Sequence, residues 1–508
     1  MEKSRITSGP RRLVSGGAWF LGLMTLSGIF WLILGIQISR AYGPAGYGLF
    51  SVTSSVFDFM WAFIFGGIFE GLIHFGTAHL VGKDANLAQF FSKYVRYLSV
   101  MSLVAFVGLA VLATQIPSFD WQIILFSLAV AFLFSGTKDA LSSILGSLHK
   151  NRELSSVNAV GFYAITVIGL LFILFNLPVQ FLPVLITFGP VCQAVLCVYF
   201  LRSYLKDLVY YNAKFFVDRK LRHALVEDFR NFKHIFYFGF SVSIGKISFM
   251  VMKSLDIPIL TFFFGLTNVE LGLTYVGIYS VADTASSVLF SMTAFALPII
   301  ASVSEAWAKK DWVEMEKLVR ISVKLPLILG LPLTIIIFVL AKPLIVGFFG
   351  TPFLGAVVPL QILIFGTFLL MFGYTLSSVL IGIRKPKLSG LLMAVAAIQY
   401  LISLIVLVPL FSLNGAALSL TLTGVTSLIL IPIFIKRNLK INIFSGLPKV
   451  LFAGAVLGFL LYLIPQNNML IMFLGMCAST VVYGLLVYYT RYITKDDIAM
   501  LKTVEPQQ

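Results

Sequence analysis

Charge is what this sequence has least of. Asp, Glu, Lys and Arg make up 11% of the 508 residues, and the acids number only 21. A soluble domain carries roughly 25% charged residues, so an ordinary soluble enzyme is excluded. Cysteine is nearly absent too. Cys192, Cys197 and Cys477 each lie in an apolar run, which makes neither a disulfide framework nor a metal site. No Gly-rich phosphate loop, Ser–His–Asp arrangement or paired-carboxylate motif stands in a polar stretch long enough for a catalytic domain. That argues against an ATPase or a glycosidase. Every expected outer loop is short, which argues against a membrane glycan polymerase or ligase as well. The expectation is a transporter rather than an enzyme, with no cofactor and no metal. Glu70, His74 and His79 are ligand types, but they fall at the inner end of a span, where an interfacial helix is expected.

Apolar residues fill the space that charge leaves. They make up 59% of the chain, with 48 Phe and a mean hydropathy of +0.97. A transmembrane helix takes about 20 mostly apolar residues. On that measure the chain is expected to be all-α and membrane-integral, with about fourteen spans from residues 14–39 to 468–490. The start, MEKSRITSGPRRLV, resembles a signal-peptide n-region, but the apolar run after it is too long and lacks a small-x-small site. It reads as an uncleaved first span.

The net charge of +16 tests this layout. With both termini cytoplasmic, most of the 37 basic residues fall in inner segments, leaving Arg40 and Lys342 outside and three within spans. The positive-inside rule thus accounts for the basic excess without nucleic acid. The segment 203–233 is the longest charged connection and reads as a cytoplasmic, membrane-surface linker. The expected organisation is an N-terminal lobe at 1–202, this linker, a C-terminal lobe at 234–440, and two further helices with a cytoplasmic tail at 441–508.

The lobes carry traces of a repeat. GYGLFSV (46–52) opens span two and YVGIYSV (275–281) opens span eight; aligning Gly48 with Gly277 also aligns Ser51 with Ser280. Polar residues then follow at helical spacing, Ser54, Ser55 and Asp58 in one, Asp283, Thr284 and Ser287 in the other. ILGSLHKNRELS (144–155) and LIGIRKPKLS (380–389) match in the same order, after spans four and ten. Two pseudo-symmetric six-helix lobes of like orientation are the expectation.

Several charges lie inside the apolar runs. Span seven (235–263) carries Lys246, Lys253 and Asp256, which fall within an arc of about 80° on one helix face. Span four carries Ser135, Lys138, Asp139, Ser142 and Gly146 as another stripe. Left in lipid, these charges with Asp58 and Asp283 would cost on the order of 20 kcal/mol. They are therefore expected to face protein or a hydrated cavity between the lobes. Local alternatives stay open: Lys253 could pair with Asp256 at i, i+3, and Asp58 or Asp283 could simply bond neighbouring helices.

At ISRAYGPAGYGLFSV (38–52) the chain resembles polysaccharide flippases of the O-antigen (Wzx-like) type. These belong to the multidrug/oligosaccharidyl-lipid/polysaccharide (MOP) exporter superfamily. Arg40, Gly43, Pro44, Tyr47, Gly48, Phe50 and Ser51 match the signature of that family. Gly-Pro would make the outer turn between spans one and two, with Tyr47 at the interface. YVGIYSVAD (275–283) and IGIRKPK (381–387) are similar to the family too.

The resemblance implies a MATE-like fold of two lobes with two extra C-terminal helices. It also implies transfer of a lipid-linked oligosaccharide on a polyprenyl (pyro)phosphate from inner to outer leaflet, by alternating access. Lys246, Lys253, Lys138 and Arg40 are then the candidate headgroup-binding cations, since a phosphate needs compensating charge in a cavity of low dielectric constant. Asp58, Asp139, Asp256 and Asp283 are candidate coupling-ion or cavity acids. Membrane lipids, a glycan polymerase or transferase, and a monomeric state at the cell membrane complete the expectation. The alternative is a cation-coupled exporter of the multidrug and toxin extrusion type. Span one contains no acid, which counts against it.

Overall fold

The computed structural model describes residues 9–65, 72–73, 76, 87–148, 150–202, 244–265, 268–290, 296–439, 446–465 and 469–492. Every element among them is helical. In chain order they are α1 (Gly9–Ile64), α2 (Leu87–Gln115), α3 (Phe119–Ser147), α4 (Asn151–Leu174), and α5 (Leu185–Phe200) after a 3₁₀ turn at Val179–Val184. A broken pair follows, α6 (Ile244–Ser254) and α7 (Asp256–Gly265). Then come α8 (Val269–Ser286), α9 (Ala296–Lys309), α10 (Trp312–Val339), α11 (Ala341–Phe348) and α12 (Val357–Gly382). α13 (Pro386–Leu439), α14 (Leu447–Leu463) and α15 (Met469–Tyr489) complete the series.

Among the described residues nine helices are long and apolar enough to cross a bilayer, or ten if α6 and α7 form one span. Helices are the only open-chain answer to lipid, because they satisfy every backbone N–H and C=O internally. Two of the helices are far longer than the ~20 residues one crossing takes. α1 is interrupted at Gly43, whose φ of 68° glycine tolerates without strain, and Pro44 opens the next stretch. This is the Gly-Pro turn expected between spans one and two. α13 is interrupted in the same way at Ser412, with φ 53°.

The expected single span at 235–263 is different. Its described part breaks at Leu255 and bends by 40°. Pro258 is the cause: it has no N–H to give the carbonyl of Ser254, and its ring crowds the preceding turn. Tyr47 also departs from expectation. It is buried against Gly35 of the first span, where an added Cβ would come within 3.0 Å of the phenol oxygen. Its ring packs protein to protein.

The chain divides into two compact units, Met1–Pro258 and Ile259–Gln508. The expected linker at 203–233 lies outside the described residues, as do Glu70, His74 and His79. In the first unit α3 is the hub, packing on α2, α5 and α4. Gly136 of α3 makes the α2 contact close, since a Cβ there would meet Ser102 Oγ at 2.0 Å. The other face of α2 shows Val100, Leu103, Val104, Val107 and Val111, an exposed apolar stripe at helical spacing suited to lipid tails.

In the second unit α12 is the hub, packing on α13, α10, α9 and α8. Gly366 and Gly373 bring α12 against Thr421 and Ser427 of α13, the small-residue contact that lets membrane helices gain dispersion energy. GYGLFSV and YVGIYSV both fold as helix, with Ser51 and Ser280 both packed inside.

α14 and α15 pack on each other and on α10. Their anchor is Tyr483, whose buried hydroxyl donates to the carbonyl oxygen of Leu327 at 3.0 Å. Tyr483→Phe keeps the ring and removes only this bond. It is expected to cost about 1 kcal/mol, lowering the thermal unfolding midpoint in detergent without changing the elution volume.

Candidate functional site

The broken span concentrates charge. Lys246 and Lys253 lie on α6, the first half-buried and the second exposed, with Ser248 and Ser254 buried between and beside them. Asp256 opens α7 and is buried at 2% exposure; its carboxylate Oδ1 accepts the backbone N–H of Ile257 at 2.9 Å. The bend thus exposes one lysine while packing the acid that follows it into protein.

The positive charge of Lys253 acts on the carboxylate of Asp58, which stands exposed on the second half of α1. Sequence had placed the two residues in spans two and seven with no stated relation. Folding brings them together within the first unit. Exposed charges within an apolar span are costly against lipid.

Lys138 and Asp139 form a second cluster, and here the charges are engaged with each other. Lys138 Nζ lies 2.6 Å from Asp139 Oδ1, both side chains being largely buried. The other carboxylate oxygen, Oδ2, accepts the indole N–H of Trp61 at 2.7 Å. The same ammonium stands 5.8 Å from the Trp61 ring centroid, within cation–π range. Adjacent residues on a helix point about 100° apart, yet these two side chains fold back over one another because Trp61 receives both.

Sequence reading missed Trp61. The signal was its spacing, three residues after Asp58 on the same helical stripe. Around the pair, α3 is packed with small polar groups. Ser135 and Ser143 bond carbonyls of their own helix, and Ser142 Oγ meets Cys197 Sγ at 3.3 Å.

The remaining candidates lie on other stretches of the chain. Arg40 is exposed in the last turn before Gly43. Asp283 is half-buried on α8 in the second unit, its backbone carbonyl accepting the hydroxyl of Ser286 at 2.9 Å. Among the described residues no group of three His, Cys, Asp or Glu could hold a metal ion.

No protein-family model matches the chain. An uncharacterized membrane protein of Methanocaldococcus jannaschii is 24% identical over 429 residues, 80% of this chain and 81% of that one. The lipid II flippase MurJ, solved in an inward closed conformation, superposes with a TM-score of 0.71 at 15% identity, over 93% of this chain and 99% of its own. A multidrug-resistance MATE transporter in its inward-facing conformation superposes at 0.61 with 14% identity, over 84% and 99% of the two chains. The MATE multidrug transporter DinF-BH gives 0.60 at 18%, over 85% and 96%. The chain is a multi-pass membrane protein with the fold that these solved transporters share.

Asp139 is the acceptor on which Lys138 and Trp61 converge. Asp139→Ala leaves a largely buried ammonium without its carboxylate, and breaking such a pair from one side costs about 3–5 kcal/mol. The double substitution Lys138→Met, Asp139→Leu removes both charges and is expected to recover most of that loss. Thermal unfolding of the single and double variants in detergent measures the difference.

Proposed function

We propose that the protein is a flippase for a lipid-linked oligosaccharide, carrying a polyprenyl (pyro)phosphate sugar from the inner to the outer leaflet by alternating access. One observation supports this most. In a fold shared with a lipid II flippase, the broken span holds Lys246 and Lys253 within its apolar run, with Lys253 exposed. A phosphate headgroup is the membrane cargo whose charge those ammoniums complement. Their contacts are charge-assisted, and each is worth about 1.5–3 kcal/mol.

In this reading Lys246 and Lys253 receive the phosphate and Arg40 meets it at the outer turn. Asp58 is the internal counter-charge of Lys253, a role separate from the Lys138–Asp139–Trp61 cluster, which holds the first unit together. Asp58, Asp139, Asp256 and Asp283 are the candidate acids for a coupling cation. The setting is the cell membrane, with both termini cytoplasmic as the basic residues require. A monomer suffices, and the product is delivered to a glycan polymerase or transferase on the far side.

The likeness to MATE transporters keeps a cation-coupled exporter as the second reading. Drug resistance on overexpression is required by that reading and not by this one.

The test is leaflet exchange in vesicles. The purified chain is reconstituted with a lipid-linked oligosaccharide bearing a fluorophore on its sugar, and a membrane-impermeant quencher reports headgroup position. Wild type is expected to exchange the headgroup, with Lys246→Ala, Lys253→Ala slower by at least about tenfold. Equal rates in the two proteins would remove the lysines from headgroup handling. No exchange by folded wild type would favour the exporter.

A further inference from the structure

The last two helices meet at one membrane face in a turn crowded with cations. α14 begins after Gly446, and α15 ends at Thr490–Arg491–Tyr492. Lys449, in the first turn of α14, donates from Nζ to the carbonyl of Thr490 at 2.9 Å, so the start of one helix is tied to the end of the other. α15 closes in a Schellman motif. The Tyr492 N–H bonds to the Val487 carbonyl and the Arg491 N–H to that of Tyr488, with Val487 and Tyr492 both buried.

Tyr492 holds one of the cations. Its ring lies against Gly446, where a Cβ would come within 3.1 Å, and Lys324 of α10 stands 5.8 Å from its centroid. Lys324 and Lys449 therefore reach, from two other helices, the turn that carries Arg491. Among the described residues neither Lys449 nor Arg491 forms an ion pair with a carboxylate. The positive end of the α14 dipole adds to the same sign.

Arg491 occupies the position where such motifs normally take glycine, at φ 52°. A side chain there strains the backbone, so the guanidinium, not the turn, is what the residue contributes. The same substitution recurs at the ends of α9 and α12. Lys310 (φ 56°) and Arg384 (φ 61°) each sit in a turn with the same pair of hydrogen bonds. All three ends fall on the face that the positive-inside count assigns to the cytoplasm. At the opposite face, the equivalent residue after α4 is the uncharged Asn176.

We propose that the Lys324–Lys449–Arg491 turn binds the phosphate of an anionic lipid at headgroup level. Basic pockets between transmembrane helices on the cytoplasmic side are suited to acidic headgroups. The phosphate could be that of a bulk phospholipid or of a polyprenyl carrier; both present a phosphate ester on a membrane-anchored chain.

The test uses the full chain in nanodiscs of phosphatidylcholine, titrated with phosphatidylglycerol and followed by its thermal unfolding midpoint. In phosphatidylcholine alone, Arg491→Gly is expected to match or exceed wild type, because glycine adopts this turn without strain. With phosphatidylglycerol, wild type rises in midpoint, and Arg491→Gly needs about fivefold more of the lipid for the same rise. Arg491→Lys is expected to restore the response.

A second series replaces phosphatidylglycerol with polyprenyl phosphate. A larger Arg491-dependent response to that lipid identifies the carrier as the ligand, and a smaller one identifies bulk lipid. An equal response of wild type and Arg491→Gly to both lipids would overturn the proposal. So would a loss of stability by Arg491→Gly in phosphatidylcholine alone, which would make Arg491 a structural residue. No step of this test involves transport, so its result is independent of the flippase reading.

Discussion

Hydrocarbon offers no hydrogen bonds, and the whole structure follows from that. Every backbone group must be satisfied within a helix, and every charge must find protein or water. The first requirement makes the described chain helical throughout. The second sorts its mid-membrane charges into two kinds. Lys138 and Asp139 are neutralised against each other and sealed by Trp61, which ties α1 to α3. Lys253 and Asp58 lie in the same unit and both remain exposed. A sealed pair fits a structural brace, whereas accessible charges in a span have a reason to exist only if something polar passes them.

The break in span seven is the local device that makes this difference. A continuous helix would carry Lys253 and Asp256 on neighbouring parts of one face. Pro258 ends that continuity, and Asp256 turns its carboxylate to the first amide beyond itself. The lysine stays accessible while the acid is packed away. Discontinuous helices are a recurring way for membrane transporters to put polar groups at mid-depth without exposing backbone to lipid.

Much of this was legible in the sequence. Low charge, long apolar runs and the distribution of lysine and arginine led to an all-helical membrane protein, and Gly43-Pro44 marked a real turn. The break at Leu255 was missed because a hydropathy window averages over one proline, and Pro258 is itself compatible with an apolar run. Trp61 was missed because an indole reads as apolar until an acceptor 78 positions away comes within 2.7 Å. The burial of Tyr47 was not legible, because the gap that Gly35 leaves in the facing helix shows only in the fold. Pattern along the chain reports which face is polar. It does not report which polar groups on distant helices will meet.

The central claim is that Lys253 faces a water-filled route used by a phosphate-bearing lipid. The most direct measurement places a thiol there. In a chain with Cys192, Cys197 and Cys477 replaced by serine or alanine, Lys253→Cys is treated in intact vesicles with a charged, membrane-impermeant thiol reagent. The account predicts modification without detergent, slowed when a polyprenyl-pyrophosphate-linked sugar is present. Modification by membrane-soluble reagents alone would place the position against lipid and contradict it.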